Sequence, residues 1–175
     1  STKGSLVELS GGMGATFVNV TFRDNTAGAV VVSTVDQDHY GTTMHDNDTA
    51  FGLQVWDADL SFYNGEVYDN DARWGALDAI DPEASVLVQD SWFEGNDNGQ
   101  VRGIWGADVT VLRSTFRDCG TPITLDGGAL RVDSCSFVGG TGTVIAIQDL
   151  EDGRIANSSI LDNDGWWLTN PTTTN

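Results

Sequence analysis

The sequence predicts an all-β fold: a right-handed single-stranded parallel β-helix of about seven coils, each of roughly 23 residues with three short strands. Three observations predict it. An apolar-x-Asp-Asn phrase, complete in four copies and altered in three (Phe93-Glu-Gly-Asn96, Phe116-Arg-Asp-Cys119, Phe137-Val-Gly-Gly140), recurs seven times, anchored on Phe22, Met44, Val67, Phe93, Phe116, Phe137 and Ile160, at intervals of 22, 23, 26, 23, 21 and 23 residues. The stretch before each anchor alternates apolar and polar residues with period two, as in Leu60-Ser-Phe62, Val86-Leu-Val88 and Val109-Thr-Val111. No segment carries a convincing 3.6-residue periodicity, and Gly, Asp, Asn and Thr are abundant, all poor helix formers. Drift of one to three residues per repeat is what loops absorb, so the period belongs to a structural unit.

Each unit divides in the same way. The alternating stretch is a strand with one face buried, its apolar residues seven and five positions before the anchor. Three residues before the anchor stands a polar residue (Asn19, Asn64, Asp90, Arg113, Ser134, Asn157), which marks a corner. The anchor segment is the second strand, closed by the Asp-Asn turn. A third strand follows, as in Ala29–Val32, Gly52–Trp56, Gly75–Ile80, Ile123–Leu125 and Val144–Ile147. Stacked at the inter-strand spacing, seven such coils make a rod about 35 Å long with the anchors as one internal column. The crossover preference makes the winding right-handed.

Phe22-x-x-Asn25 and Phe93-x-x-Asn96 resemble the Phe-x-x-Asn repeat of polymorphic outer-membrane proteins. Gly28-Ala29-Val30, Gly75-Ala76-Leu77 and Gly127-Gly128-Ala129-Leu130 are similar to the Gly-Gly-Ala-Ile/Leu motif that accompanies it. More broadly, residues 6–165 resemble the right-handed β-helix repeats of the pectin-lyase-like superfamily. That resemblance implies the fold but no single activity, because the superfamily holds lyases, glycosidases, adhesins and passive rods.

One solenoid domain over residues 1–168, with a Thr-rich linker or tail over 169–175, accounts for the 175 residues. Leu6–Leu9 reads as a strand of an earlier, incomplete coil, and Trp166 and Trp167 as a lid over the last one. A solenoid end without a polar cap exposes strand edges, so the expectation is a part of a longer chain, or one capped by flanking domains or other subunits. The net charge is −18, from 21 Asp and 5 Glu against 7 Arg and one Lys. Such a surface repels nucleic-acid phosphates and anionic lipid, and there is no run of 18 apolar residues to span a membrane. Turn chemistry and solvation explain most of the Asp. Cys119 and Cys135 fall in adjacent coils at different offsets, so a disulfide and two separately packed thiols both stay open. His39 and His45 read as surface turn residues.

Three chemistries are candidates. Trp56 and Trp105 each lie 12 residues after their anchors, two coils apart, with Asp78 in the coil between. Pointing outward, they would stand about 10 Å apart along a ridge suited to stacking on sugar rings. Asp57, Asp81, Asp126 and Asp149 each close a third strand, and carboxyls about 5 Å apart match retaining glycosidases. Any column in this fold has that spacing, however, and the superfamily's lyases need basic residues that are scattered here. If the chain is an enzyme, Asp57, Asp78 and Asp81 are its carboxylates. The Asp46/Asp48 and Asp69/Asp71 pairs are weak calcium candidates; no cofactor is required.

The leading expectation is therefore a secreted or cell-surface β-helical structural or adhesive module that contacts a glycan or surface polysaccharide through a side face. The alternative is a carbohydrate-active enzyme, a lyase or hydrolase, of the pectin-lyase-like kind. A third is a subunit of an end-to-end surface assembly.

Overall fold

The computed structural model describes residues 4–169 except 27 and 97. Among the described residues there is no helix, and every paired strand is parallel to its neighbours. The strands form three sheets of eight, seven and seven members, visited in turn as the chain winds. One coil shows the plan: Asp59–Tyr63 in sheet B, Glu66–Tyr68 in sheet C, then Asp71–Ile80 in sheet A. Sheet A runs Ser5–Leu9, Ala29–Ser33, Asp48–Trp56, Asp71–Ile80, Gly99–Ile104, Thr121–Asp126, Ile145–Gln148 and Leu168–Thr169. The expected parallel β-helix, a solenoid of about seven turns, is what the chain forms. No helix among the described residues is long and apolar enough to cross a membrane.

The anchors do stack. Phe22, Met44, Val67, Phe93, Phe116, Phe137 and Ile160 pair in register through sheet C. Where three aromatic anchors follow one another, the inter-strand spacing forces ring on ring: Phe93–Phe116 centroids are 4.6 Å apart and Phe116–Phe137 5.1 Å. All three are buried, so each contributes about 2–3 kcal/mol of apolar burial.

Behind the anchors stands a ladder of side-chain amides. Asn25 Nδ2 donates to Asn47 Oδ1 (2.8 Å), Asn47 to Asn70 (2.8 Å) and Asn70 to Asn96 (3.1 Å). Each buried rung also donates to the anchor carbonyl of the preceding coil: Asn47 to Phe22, Asn70 to Met44, Asn96 to Val67. The Asp preceding each Asn meets a different requirement. Asp24, Asp46, Asp69, Asp118 and Asp162 all have φ between 50° and 55°, a left-handed conformation that Asp and Asn tolerate better than most residues. Gly95 and Gly139 replace Asp at this corner, where an added Cβ would strike the Asp69 or Asp118 carboxylate folded over from the coil before. The polar corner three residues before the anchor is left-handed too, at Asn19, Asn64, Asp90, Arg113, Ser134 and Asn157.

Both cysteines are ladder substitutions, which is why they remain free. Cys119 takes the Asn rung above Asn96. Cys135 takes a rung in a serine ladder on another corner, where Gly65 N donates to Ser91 Oγ, Ser91 N to Ser114 Oγ and Cys135 N to Ser158 Oγ. An anchor strand separates the two corners, so no disulfide forms. Burial pushes the Cys119 thiol up to about 11.

Two expectations fail here. His39 is not a surface residue: it is 0 % exposed, stacked on Phe17 at 4.5 Å, with Nε2 3.0 Å from Gln37 Oε1 and Thr42 Oγ1 near Nδ1. It occupies the position five before the anchor, where other coils carry Phe17, Phe62 or Val88, and burial lowers its imidazole to about 4. Trp166 and Trp167 do not form a lid. Trp166 is 75 % exposed, and the segment continues sheet A, Val144 N donating to the Trp166 carbonyl. Thr169 still pairs with Ala146, and the rest of the expected tail lies outside the described residues.

Replacing the sulfur by the amide that the ladder uses elsewhere, Cys119→Asn, is expected to stabilise the fold by about 1 kcal/mol, while Asn70→Ala loses about 2–3 kcal/mol by orphaning its neighbours. Chemical denaturation of the three proteins measures both; a destabilised Cys119→Asn would contradict the ladder account.

Candidate functional site

The outer face of sheet A departs from the rule that outward side chains are polar and solvated. Leu53, Val55, Leu77, Ala79, Val101, Ile123 and Leu125 point into the core, so strand alternation turns Gln54, Trp56, Asp78, Ile80, Arg102, Ile104, Thr124 and Asp126 outward. Register puts Gln54, Asp78, Arg102 and Thr124 in one row and Trp56, Ile80 and Ile104 in the next. Yet Asp78 is 0 % exposed and Ile80 is buried. Something covers them.

A bulge supplies part of the cover. Between the pairs Ala72–Thr49 and Gly75–Phe51 the strand Asp71–Ile80 holds one residue more than its partner. This extra residue places Arg73 and Trp74 outside the ladder, and Trp74 is 52 % exposed. Arg102 lies between two aromatic rings, its Cζ 5.8 Å from the Phe51 centroid and 5.9 Å from that of Trp74. Its Nε donates to Asp78 Oδ1 at 2.9 Å. Gly75 completes the cradle: a Cβ there would sit 2.4 Å from Asp78 Oδ1. The other oxygen, Asp78 Oδ2, has no hydrogen-bond partner among the described residues, nor has Nε2 of neighbouring Gln54. Burial raises the Asp78 carboxyl to about 6, against the pull of Arg102.

The two expected tryptophans meet, though not as anticipated. Their ring centroids are 6.0 Å apart, edge to face, instead of standing apart along a ridge. The equal offsets from their anchors mislead, because the core residue Val101 follows Phe93 by 8 positions while its counterpart Leu53 follows Met44 by 9. Trp105 therefore falls one column over, on the corner, and leans back towards Trp56 across Ile80. Trp56 is partly buried, with Nε1 donating to Gln54 Oε1 at 3.1 Å. Trp105 is 59 % exposed. Asp78 is not on their ridge; it lies two residues deeper in the strand, beneath Arg102.

The corner occupied by Trp105 is left-handed in five consecutive coils: Asp57 (φ 50°), Asp81 (87°), Trp105 (59°), Gly127 (77°) and Asp149 (50°). Four of these five residues are Asp or Gly, which suit the conformation; a bulky aromatic does not. Asp126 falls one position earlier, in register with Gln148, because Gly127 takes the corner. Of the four strand-closing carboxylates only Asp57 and Asp81 therefore share one column on adjacent coils. The calcium candidates divide likewise. Asp46 and Asp69 sit on the left-handed corner beside the anchors, while Asp48 and Asp71 pair on sheet A. Among the described residues no group of three or more His, Cys, Asp or Glu is placed to hold a metal ion.

Beyond Arg102 the face opens into a shallow cleft of about 290 Å³ lined by Arg102, Ile104, Thr124, Asp126, Ala146 and Gln148. Sequence reasoning picked out Trp56, Asp78 and Trp105 but missed Arg102, Trp74 and Phe51. The opposite charge 24 residues after Asp78, one coil on, was the available signal.

The titration of Asp78 has a definite sign. The folded state holds its proton up to about pH 6 against an ordinary 3.8, so this residue's contribution falls by about 3 kcal/mol as pH rises through that window. His39 acts oppositely: with its folded value near 4 against 6.5, it removes about 3 kcal/mol as pH falls through its window. The two mask each other in the natural chain. Relative to that chain, Asp78→Asn is expected to make unfolding free energy rise more steeply from pH 4 to 6, and His39→Phe to make it rise less steeply or fall. Denaturant titrations at several pH values test this; parallel curves for all three proteins would refute both assignments. In comparison with known proteins, no family model, no curated protein and no solved structure matches the chain.

Proposed function

We propose that the chain is a carbohydrate-contacting β-helical module of a secreted or cell-surface protein, and that sheet A carries the contact. The observation that carries this is Trp105. A left-handed corner that the four other coils sharing it fill with Asp or Gly holds an indole at φ 59°, more than half exposed, against a second tryptophan. Placing a bulky side chain in that conformation costs about 1–2 kcal/mol. Violation of a local rule without a folding benefit is the mark of a functional position. An exposed indole beside a cleft of hydroxyl, amide, carboxylate and guanidinium groups matches how proteins grip a sugar: apolar ring face on aromatic, hydroxyls on polar groups.

The resemblance to pectin-lyase-like repeats supports the same class of ligand, and the acidic surface suits an extracellular setting. The enzymatic alternative has less behind it. Asp78 is enclosed by Arg102 and the bulge, and neither Asp57 nor Asp81 lines the cleft that Arg102 opens. Glycan recognition without turnover needs neither.

Trp105→Gly separates the two roles of that residue. Oligosaccharide affinity, measured by calorimetry or on a glycan array, is expected to fall at least about tenfold, with the midpoint of thermal unfolding unchanged or raised, since Gly suits the corner. Trp56→Ala is expected to weaken binding less. Binding that survives Trp105→Gly would remove the proposal.

A further inference from the structure

Resting on the carbohydrate reading, we infer that the cleft beside Arg102 selects uncharged sugars and excludes acidic ones, and that the buried Asp78 carboxylate is what sets this selectivity. Arg102 is the one cationic side chain lining the cleft. An arginine with an open fork is ordinarily a receptor for carboxylates and sulfates, because two parallel N–H groups match two anionic oxygens. Here the fork arrives already neutralised. Nε is committed to Asp78 Oδ1 at 2.9 Å, from a carboxylate that water does not reach and that therefore screens the guanidinium at short range.

The rest of the cleft adds only negative charge. Asp126 lines it, in register with Gln148. Asp81 and Asp149 occupy the adjoining corner, on either side of Trp105 and Gly127. A uronate entering here meets a compensated arginine and uncompensated carboxylates. A neutral pyranose meets donors and acceptors in useful proportion. The terminal nitrogens of Arg102 donate to hydroxyl oxygens, Asp126 accepts from hydroxyls, and Thr124 and Gln148 do both. The Phe51 and Trp74 rings, each within 6 Å of the guanidinium carbon, hold its plane in place without consuming a hydrogen bond. Asp78 touches no ligand in this account; it is a positioning residue that fixes the orientation of Arg102 and cancels its charge.

The test compares manno- and cello-oligosaccharides with oligomannuronates and oligoglucuronates of equal length, by calorimetry at low salt. The natural chain is expected to bind the neutral series at least about tenfold more tightly, and the ratio to shrink as salt is raised. Asp126→Asn, a near-isosteric change at a half-buried outward position, and Asp78→Asn, which uncovers the charge of Arg102, are each expected to cut that ratio several-fold by strengthening uronate binding. The deciding readout is uronate affinity itself, which must rise in both variants even where neutral binding weakens. Ala146→Phe, which fills the cleft from the outer face, is expected to abolish both series. Uronates binding as tightly as neutral sugars would overturn the inference while leaving the carbohydrate reading in place, as would a ratio untouched by both Asp variants. Failure of every oligosaccharide to bind would overturn the carbohydrate reading, and the selectivity with it.

Discussion

Each strand residue of the inner coils meets the same position of the coil before and the coil after, at the fixed distance of strands in a sheet. That constraint decides what each column accepts. A column of phenylalanines becomes a stack of rings, a column of asparagines a ladder in which each amide is donor to one neighbour and acceptor from the other, and a column of left-handed corners a run of Asp, Asn and Gly. None of these interactions is strong alone. Their repetition satisfies most of the buried polar groups at the corners, which a chain with so many turns must do.

The same constraint explains what the sequence disclosed. The anchors, the alternating strand before them and the Asp-Asn turn recur because their columns are chemically uniform, so period and strand order were legible from spacing alone. His39 was misjudged because its neighbours in sequence are polar, although its column is apolar. Read by column, five before the anchor, it belongs with Phe17 and Phe62. The cysteines became intelligible in the same way, as sulfur versions of an Asn rung and a Ser rung. Counting from the anchor failed beyond the third strand's entrance, where the bulge at residues 72–75 and the shorter approach to Val101 move the register by one. That slip put Trp105 in a different column from Trp56 and hid the row joining Asp78 to Arg102.

Departures from column chemistry are concentrated on one face. An indole in a corner meant for Asp or Gly, an extra residue in a strand, a carboxylate with one oxygen unpartnered and a glutamine with its amide nitrogen idle all lie on the outside of sheet A. Elsewhere, exceptions are compensated where they stand. Arg113, another large residue in a left-handed corner, makes two hydrogen bonds of 2.7 and 2.8 Å with Asp90 of the coil before. Among the described residues, Trp105 makes no such side-chain hydrogen bond; its contact is the edge-to-face one with Trp56.

The Asp78–Arg102 pair is instructive because stability does not explain it. Desolvating both charges consumes most of what their attraction returns, and apolar side chains of similar size in the same row would serve the fold as well or better. The neighbouring column follows that course, burying Ile80 between Trp56 and Ile104. What the ion pair supplies and an apolar pair does not is orientation. A guanidinium gripped at Nε and flanked by two rings presents its terminal nitrogens in one direction, on a scaffold whose strands cannot slide without breaking every column at once. A long, flexible side chain on an exposed sheet would lose about 2 kcal/mol of rotamer entropy each time it met a ligand. Fixed beforehand by Asp78, Arg102 meets that cost during folding, where the cooperativity of the solenoid absorbs it.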